Sequence, residues 1–142
     1  MKISTRGRYA VRMVQDIAAR RTDGYCTLKS IAERQDISLK YLEQIAKDMV
    51  KAGILETGHG RGGGYRIRGS AADYTVYDIL CAAEESMSPV SCLEGEQNTC
   101  PRCDACVTLP IWTGLDRVVR EYLTRFTIQD LLEQGDAMSC GV

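Results

Sequence analysis

A mainly α-helical chain carrying one small β-hairpin is predicted by three features. Apolar residues recur at helical spacing through most of the 142 residues. One glycine-rich segment separates two short alternating runs. A long amphipathic stretch lies near the C-terminus, directly after a cysteine-rich loop.

The first helix is expected from about Thr5 to Arg20, with Tyr9, Ala10, Met13, Val14, Ile17 and Ala18 as its apolar stripe and Asp23-Gly24 as the turn that ends it. Thr27 caps a short second helix that turns Leu28, Ile31 and Ala32 inward. Gln35-Asp36-Ile37-Ser38 is a tight turn, and Ser38 caps a third helix burying Leu39, Leu42, Ile45, Ala46 and Met49. The opposite face of that helix carries Lys40, Gln44, Lys47 and Lys51, flanked by Tyr41 and Glu43, and Gly53 stops it. Ile54 to Thr57 and Tyr65 to Arg68 read as two strands around the turn Gly58-His59-Gly60-Arg61-Gly62-Gly63-Gly64.

Two short helices joined by a tight turn and followed by a hairpin make a winged helix-turn-helix. The third helix alone is equally well a solvated face; the basic, glycine-rich hairpin after it favours DNA. The expected DNA-facing set is Ser38, Lys40, Tyr41, Glu43, Gln44 and Lys47 on the helix, with His59 and Arg61 at the wing tip for the minor groove. Gln reads adenine in a bidentate manner, and Glu accepts from a cytosine amino group. The glycines form neither a phosphate-binding loop nor a dinucleotide fingerprint.

Charge divides along the chain. Residues 1–70 hold fourteen Lys/Arg against seven Asp/Glu, a net +7. Residues 71–142 hold four against twelve, a net −8, which together give the overall −1. The expected organisation is a DNA-binding domain over 1–70 and a cysteine-loop and dimerisation region over 71–142. No run of about 18 apolar residues is present, so no membrane span is expected. The N-terminus has no apolar signal core, and a cytoplasmic location is expected.

In the second half, Thr75 to Ala83 forms a short helix, and Ser88-Pro89-Val90 opens the cysteine loop. Thr108 to Phe126 is a long helix whose Trp112, Leu115, Val119, Tyr122 and Phe126 follow the three–four spacing of a helix–helix seam, which points to a two-fold homodimer. Such a dimer places two recognition helices about 34 Å apart on a pseudo-palindromic double-stranded DNA operator. Ile128, Leu131 and Leu132 add a short closing helix, and the tail from Gly135 to Val142, including Cys140, is expected to be loose.

Four of the seven cysteines, Cys92, Cys100, Cys103 and Cys106, fall within fifteen residues. In a reducing compartment such spacing argues for a metal or redox site rather than a disulfide framework. An iron–sulfur cluster on all four thiolates is the first reading, 2Fe–2S ahead of 4Fe–4S. Zinc is the alternative, since four thiolates also close a tetrahedral site. A thiol switch between Cys100 and Cys103, with Arg102 favouring thiolate, is the third. Cys26 and Cys81 stand in apolar contexts and are expected in the core. His59 is the single histidine and no nucleophile–base constellation is visible, so an enzyme is not expected. An electron carrier using the cysteine loop would leave the charge division and the wing unexplained.

Several stretches together resemble the IscR-like winged-helix regulators, the Rrf-two family. They are Ser4-Thr5-Arg6-Gly7-Arg8-Tyr9-Ala10, Ile31-Ala32-Glu33-Arg34-Gln35, Ile37-Ser38, Tyr41-Leu42-Glu43-Gln44, Gly62-Gly63-Gly64-Tyr65 and the Cys…Cys…Cys-x5-Trp segment, and they cover nearly the whole chain. The resemblance implies a dimeric bacterial transcription regulator, with a cluster on three loop cysteines in many members and none in the cysteine-metabolism repressors. Those three cysteines fall on Cys92, Cys100 and Cys106. It also implies base contacts from Lys40, Glu43 and Gln44 and phosphate contacts from Arg6 and Arg8. The chain departs from the pattern in four places. Leu109 stands where the best-known cluster regulator has a ligating histidine, and Arg8 where another branch has a carboxylate ligand. Cys103 is an additional thiol and the candidate fourth ligand, and His59 replaces the wing-tip arginine.

Overall fold

The computed structural model describes residues 1–21 and 24–140, with side chains through residue 138. Three helices form the first layer: α1 (Thr5–Ala19), α2 (Leu28–Gln35) and α3 (Leu39–Lys51). Each starts at a hydroxyl cap. Ser4, Thr27 and Ser38 accept from the backbone N–H of Gly7, Ser30 and Tyr41, satisfying donors that a helix start leaves orphaned. Asp36 takes the left-handed conformation (φ 53°) that turns the chain between α2 and α3, and Gly53 (φ 76°) follows the end of α3. Of the turn expected after α1, Asp23 lies outside the described residues.

The wing is the antiparallel pair β1 (Leu55–Gly58) and β2 (Gly64–Ile67), with Leu55 opposite Ile67 and Gly58 opposite Gly64. Cys26 bridges to Tyr65 by two backbone hydrogen bonds, adding a short third edge. Gly64 permits this: a Cβ there would meet the Cys26 carbonyl oxygen at 2.2 Å.

Then follow α4 (Val76–Ala83), α5 (Leu109–Thr124) and α6 (Ile128–Cys140). Thr75 and Asp78 close a capping box at the start of α4. The starts of α4 and α6 are laced together, Val76 N–H donating to the Phe126 carbonyl and Ile128 N–H to that of Tyr74. Ile79 of α4 and Ile128 of α6 are fully buried in the same core as Met13, Ile17, Ile31, Leu42, Ile45 and Met49. The second half of the chain thus packs directly on the helices that carry the wing.

Three expectations need correcting. Leu39 is 43% exposed, because it sits in the first turn of α3, ahead of the buried Leu42–Ile45–Ala46–Met49 stripe. The tail is helical from Gly135 to Cys140 as part of α6; Gly141 and Val142 lie outside the described residues. Cys26 is buried as expected, but Cys81 is exposed, on the side of α4 away from Ile79, Leu80 and Ala83. Among the described residues no helix is long and apolar enough to cross a membrane.

Candidate nucleic-acid interface and cysteine loop

The helix-turn-helix is fastened to α1 through one buried charge. Asp16 is 4% exposed and accepts from Arg34 Nη2 at 2.6 Å, Arg34 Nε at 3.1 Å and Gln35 Nε2 at 2.8 Å. Burial disfavours its charge, but those hydrogen bonds and the guanidinium outweigh burial and hold the carboxyl below the ordinary range. Arg12 adds a hydrogen bond from Nε to Gln35 Oε1 at 3.1 Å and another to the Gln35 carbonyl.

That clamp fixes α2, and the turn after it presents α3. Lys40, Glu43, Gln44 and Lys47 are exposed on one face, with no hydrogen bond or ion pair to the described residues. Tyr41 is half-buried, edge-on to the Tyr9 ring with centroids 5.6 Å apart, so it is a packing residue as much as a surface one. Ser38 commits its hydroxyl as the cap of α3. His59 and Arg61 are both exposed at the wing tip. Arg66 pairs with Glu56 and lies over the Tyr25 ring, stiffening the wing below that tip.

The two N-terminal arginines part company. Arg8 is exposed, donating only to Thr5 Oγ1 at 3.2 Å. Arg6 pairs with Asp48 of α3. It therefore ties the start of α1 to the recognition helix, an ion pair 42 residues apart that no local pattern signals. Beside it Glu84, at the end of α4, accepts from Ser4 N–H at 2.8 Å and Ser4 Oγ at 2.7 Å. Gly7 makes room: a Cβ there would lie 2.2 Å from Glu84 Oε1.

Immediately after Glu84 the chain enters the cysteine loop. Cys92 lies in a single 3-10 turn, Ser91–Leu93, and Cys103 opens another, Cys103–Ala105. All four thiols are free and half-buried. Cys106 Sγ is 3.4 Å from Thr108 Oγ1; that hydroxyl, nearby backbone N–H groups and Arg102 lower its pKa. Cys103 is raised, by lost hydration and then by the adjacent Asp104 carboxylate. Cys100, Arg102, Ala105, Cys106, Val107 and Thr108 line a cleft of about 340 Å³.

Among the described residues no three Cys, His, Asp or Glu side chains come together as a ready metal site. The donor set nevertheless fits a thiophilic group on its chemistry: four unpaired thiols on irregular backbone. Within the same loop the Asn98 side-chain nitrogen is buried without a partner. Filling such a site requires the loop to draw its sulfurs together.

From the loop the chain passes into α5, which buries none of its residues. Ile111, Trp112, Leu115, Val118 and Tyr122 are exposed, at 60%, 36%, 38%, 57% and 54%. The uncovered surface is broader than the seam expected from spacing alone. Arg120 over Tyr77, 5.4 Å from the ring centroid, holds α5 along α4.

A recognition helix with an unpartnered polar face, a wing and a basic N-terminal half define a DNA-binding winged-helix transcriptional regulator, not an enzyme. The chain belongs to the Rrf2 family, described as an iron-dependent transcriptional regulator, whose model matches residues 3–134. It is 40% identical to protein rrf2 of Nitratidesulfovibrio vulgaris over 140 residues, covering 99% of this chain and 91% of that one. Among solved structures it resembles CymR, the global cysteine regulator of B. subtilis, with a TM-score of 0.75 and 31% identity over 94% of this chain and 98% of that one. It resembles T. potens IscR nearly as well, with a TM-score of 0.74 and 32% identity over 95% and 88%.

Proposed function

We propose that this chain is a cytoplasmic, homodimeric regulator whose grip on a pseudo-palindromic operator is set by the occupancy of its cysteine loop. The observation carrying this reading is four free, half-buried thiols between Cys92 and Cys106, on the segment joining Glu84 to α5. Residues 71–142 provide the loop and the dimer face, and residues 1–70 the DNA-binding surface.

Cys92, Cys100 and Cys106 would hold an iron–sulfur cluster, with Cys103 as the fourth ligand and 2Fe–2S preferred. When bound, such a cluster supplies a cross-link that oxidants break. The protein's own part is mechanical. Ordering the loop restrains Glu84 at one end and the start of α5 at the other. Glu84 grips Ser4, and Arg6 in the same turn grips Asp48 of α3. The state of the loop therefore biases where the recognition helix sits, by as much as its affinity differs between the two arrangements.

On DNA, Lys40, Glu43 and Gln44 face base edges, with Ser38, Tyr41 and Lys47 around them. Arg8 takes a phosphate, and His59 and Arg61 reach the minor groove. Arg6 acts through Asp48 as a positioning residue.

A second reading is a cluster-free thiol switch. The equal likeness to CymR favours it. Anaerobic reconstitution with metal analysis separates the two. Brown protein that holds iron and sulfide, loses its charge-transfer absorption on Cys92→Ala and binds its operator differently when stripped bears out cluster control. Colourless protein whose DNA affinity changes only with thiol oxidation establishes the switch. Colourless protein with one zinc per chain assigns the site to zinc.

A further inference from the structure

We propose that Asn98 is a hydrogen-bond donor to the sulfur atoms of the cysteine-loop site, a residue that positions and tunes whatever cluster the loop holds. This rests on the cluster reading above.

Asn98 is oriented by its neighbour. The Cys100 backbone N–H donates to Asn98 Oδ1 at 2.9 Å. An amide nitrogen cannot accept that bond, so the oxygen must face Cys100 and Nδ2 must face the other way. On that other side Nδ2 is buried with no partner. Among the described side-chain nitrogens and oxygens only Arg6 Nε shares that condition, and Arg6 already pairs through its Nη2. A primary amide brings two N–H groups, and leaving a buried donor unmade costs about 1–3 kcal/mol.

The acceptor that would satisfy it is narrowed by the composition of the loop. Glu94, Glu96 and Asp104 are exposed, and Asp104 already accepts from Cys103 Sγ at 3.7 Å. The remaining acceptors between residues 92 and 106 are backbone carbonyls, the exposed Gln97 amide oxygen, the Thr99 hydroxyl and the four sulfurs. A neutral thiol accepts weakly, whereas a thiolate or a bridging sulfide accepts well. The orphaned amide is a donor without a partner, two residues from Cys100 and oriented by the Cys100 backbone N–H, and with the carboxylates exposed, anionic sulfur is the strongest acceptor left in the loop. An N–H aimed at cluster sulfur stabilises the more electron-rich reduced form and raises the reduction potential.

The test uses the full chain, reconstituted anaerobically with ferrous iron and sulfide, as wild type, Asn98→Asp and Asn98→Ser. Both variants keep an oxygen for the Cys100 N–H; neither keeps the amide donor. Iron per chain is measured first, then the midpoint potential by dithionite titration, then the deuterium shift of the iron–sulfur stretches by resonance Raman. The expected result is a lower potential in both variants and loss of a deuterium-sensitive component. Variants that take up less iron while unfolding at the wild-type temperature also support the assignment. Wild-type potential and deuterium shifts in both variants overturn it and leave the cluster reading standing. A drop in Asn98→Asp alone is a charge effect and overturns it as well. Wild-type protein that takes up no iron overturns the cluster reading and this inference together.

Discussion

Replacing Gly7 with alanine sets two effects of opposite sign against each other, and the structure decides which wins. Gly7 has ordinary helical backbone, so the substitution on a free helix would gain up to about 1 kcal/mol from propensity. Here the new Cβ would lie 2.2 Å from Glu84 Oε1 and 3.0 Å from Leu80 Cδ2. Glu84 must swing out, and the two hydrogen bonds it accepts from Ser4 go with it. Bonds to a charged acceptor contribute about 1.5–3 kcal/mol each, and Glu84 is only half-buried, so the low end applies. The loss is then about 3 kcal/mol against a gain of about 1, a net destabilisation of about 2 kcal/mol. For a chain of this size that lowers the melting temperature by about 4–8 °C.

Urea unfolding of wild type, Gly7→Ala, Glu84→Ala and the double variant measures this. Gly7→Ala should lower the midpoint at unchanged slope. Once Glu84 is gone the same change should cost little or even stabilise, a coupling of about 2–3 kcal/mol. A midpoint for Gly7→Ala at or above wild type would refute the close approach of α1 and α4, and with it the joint through which the loop state is proposed to reach α3.

Three other outcomes are expected. Asp16 is held below the ordinary carboxylate range, so its contribution is complete above about pH 3.9, the unfolded value, and fades as pH falls through the lower folded one; Asp16→Asn should cost about 2 kcal/mol at pH 7, with the gap to wild type narrowing below pH 4, and a gap constant with pH would show that the charge is irrelevant. Gln44→Ala should relax base preference at one operator position by about 1–3 kcal/mol while leaving the salt dependence of binding unchanged; uniform weakening on every sequence would remove Gln44 as a reader. Val118→Glu, on the exposed face of α5, should raise the dimer dissociation constant at least about tenfold, some 1.4 kcal/mol, by analytical ultracentrifugation; unchanged association would place the dimer contact elsewhere.

What was legible in the sequence was what is local. Thr27 and Ser38 could be read as caps, because a hydroxyl one position before an apolar-periodic run has little else to do. The wing followed from seven residues of turn chemistry between two alternating runs, and the α3 surface from a period of 3.6. The errors also have local causes. Leu39 fits the periodicity of α3 but lies where the helix start projects past its neighbours. Cys81 has apolar neighbours in sequence, yet alternate sides of α4 have different company in space. Gly135 suggested an end to α6, but a glycine inside a helix costs only about 1 kcal/mol, and the helix continues.

The joint that links the two halves was not legible, and the reason is physical. Glu84 and Ser4 are 80 residues apart, Arg6 and Asp48 are 42 apart, and no periodicity reports a long-range pair. One signal was nevertheless present. Asp16 falls within the apolar stripe of α1, between Met13 and Ile17, where a carboxylate survives only with a partner. The partners found are Arg34 and Gln35 of α2, with Arg20 at the end of α1 adding a favourable charge. The cysteine loop sets the opposite problem. Its spacing declares sulfur chemistry openly, while the geometry that would select iron, zinc or a disulfide forms only when the sulfurs converge. Convergence depends on what the loop binds, so the selection is a property of the complex and cannot be written in the spacing alone. The orphaned Asn98 amide bears on that choice, because it is a buried donor in the same loop with no partner of its own.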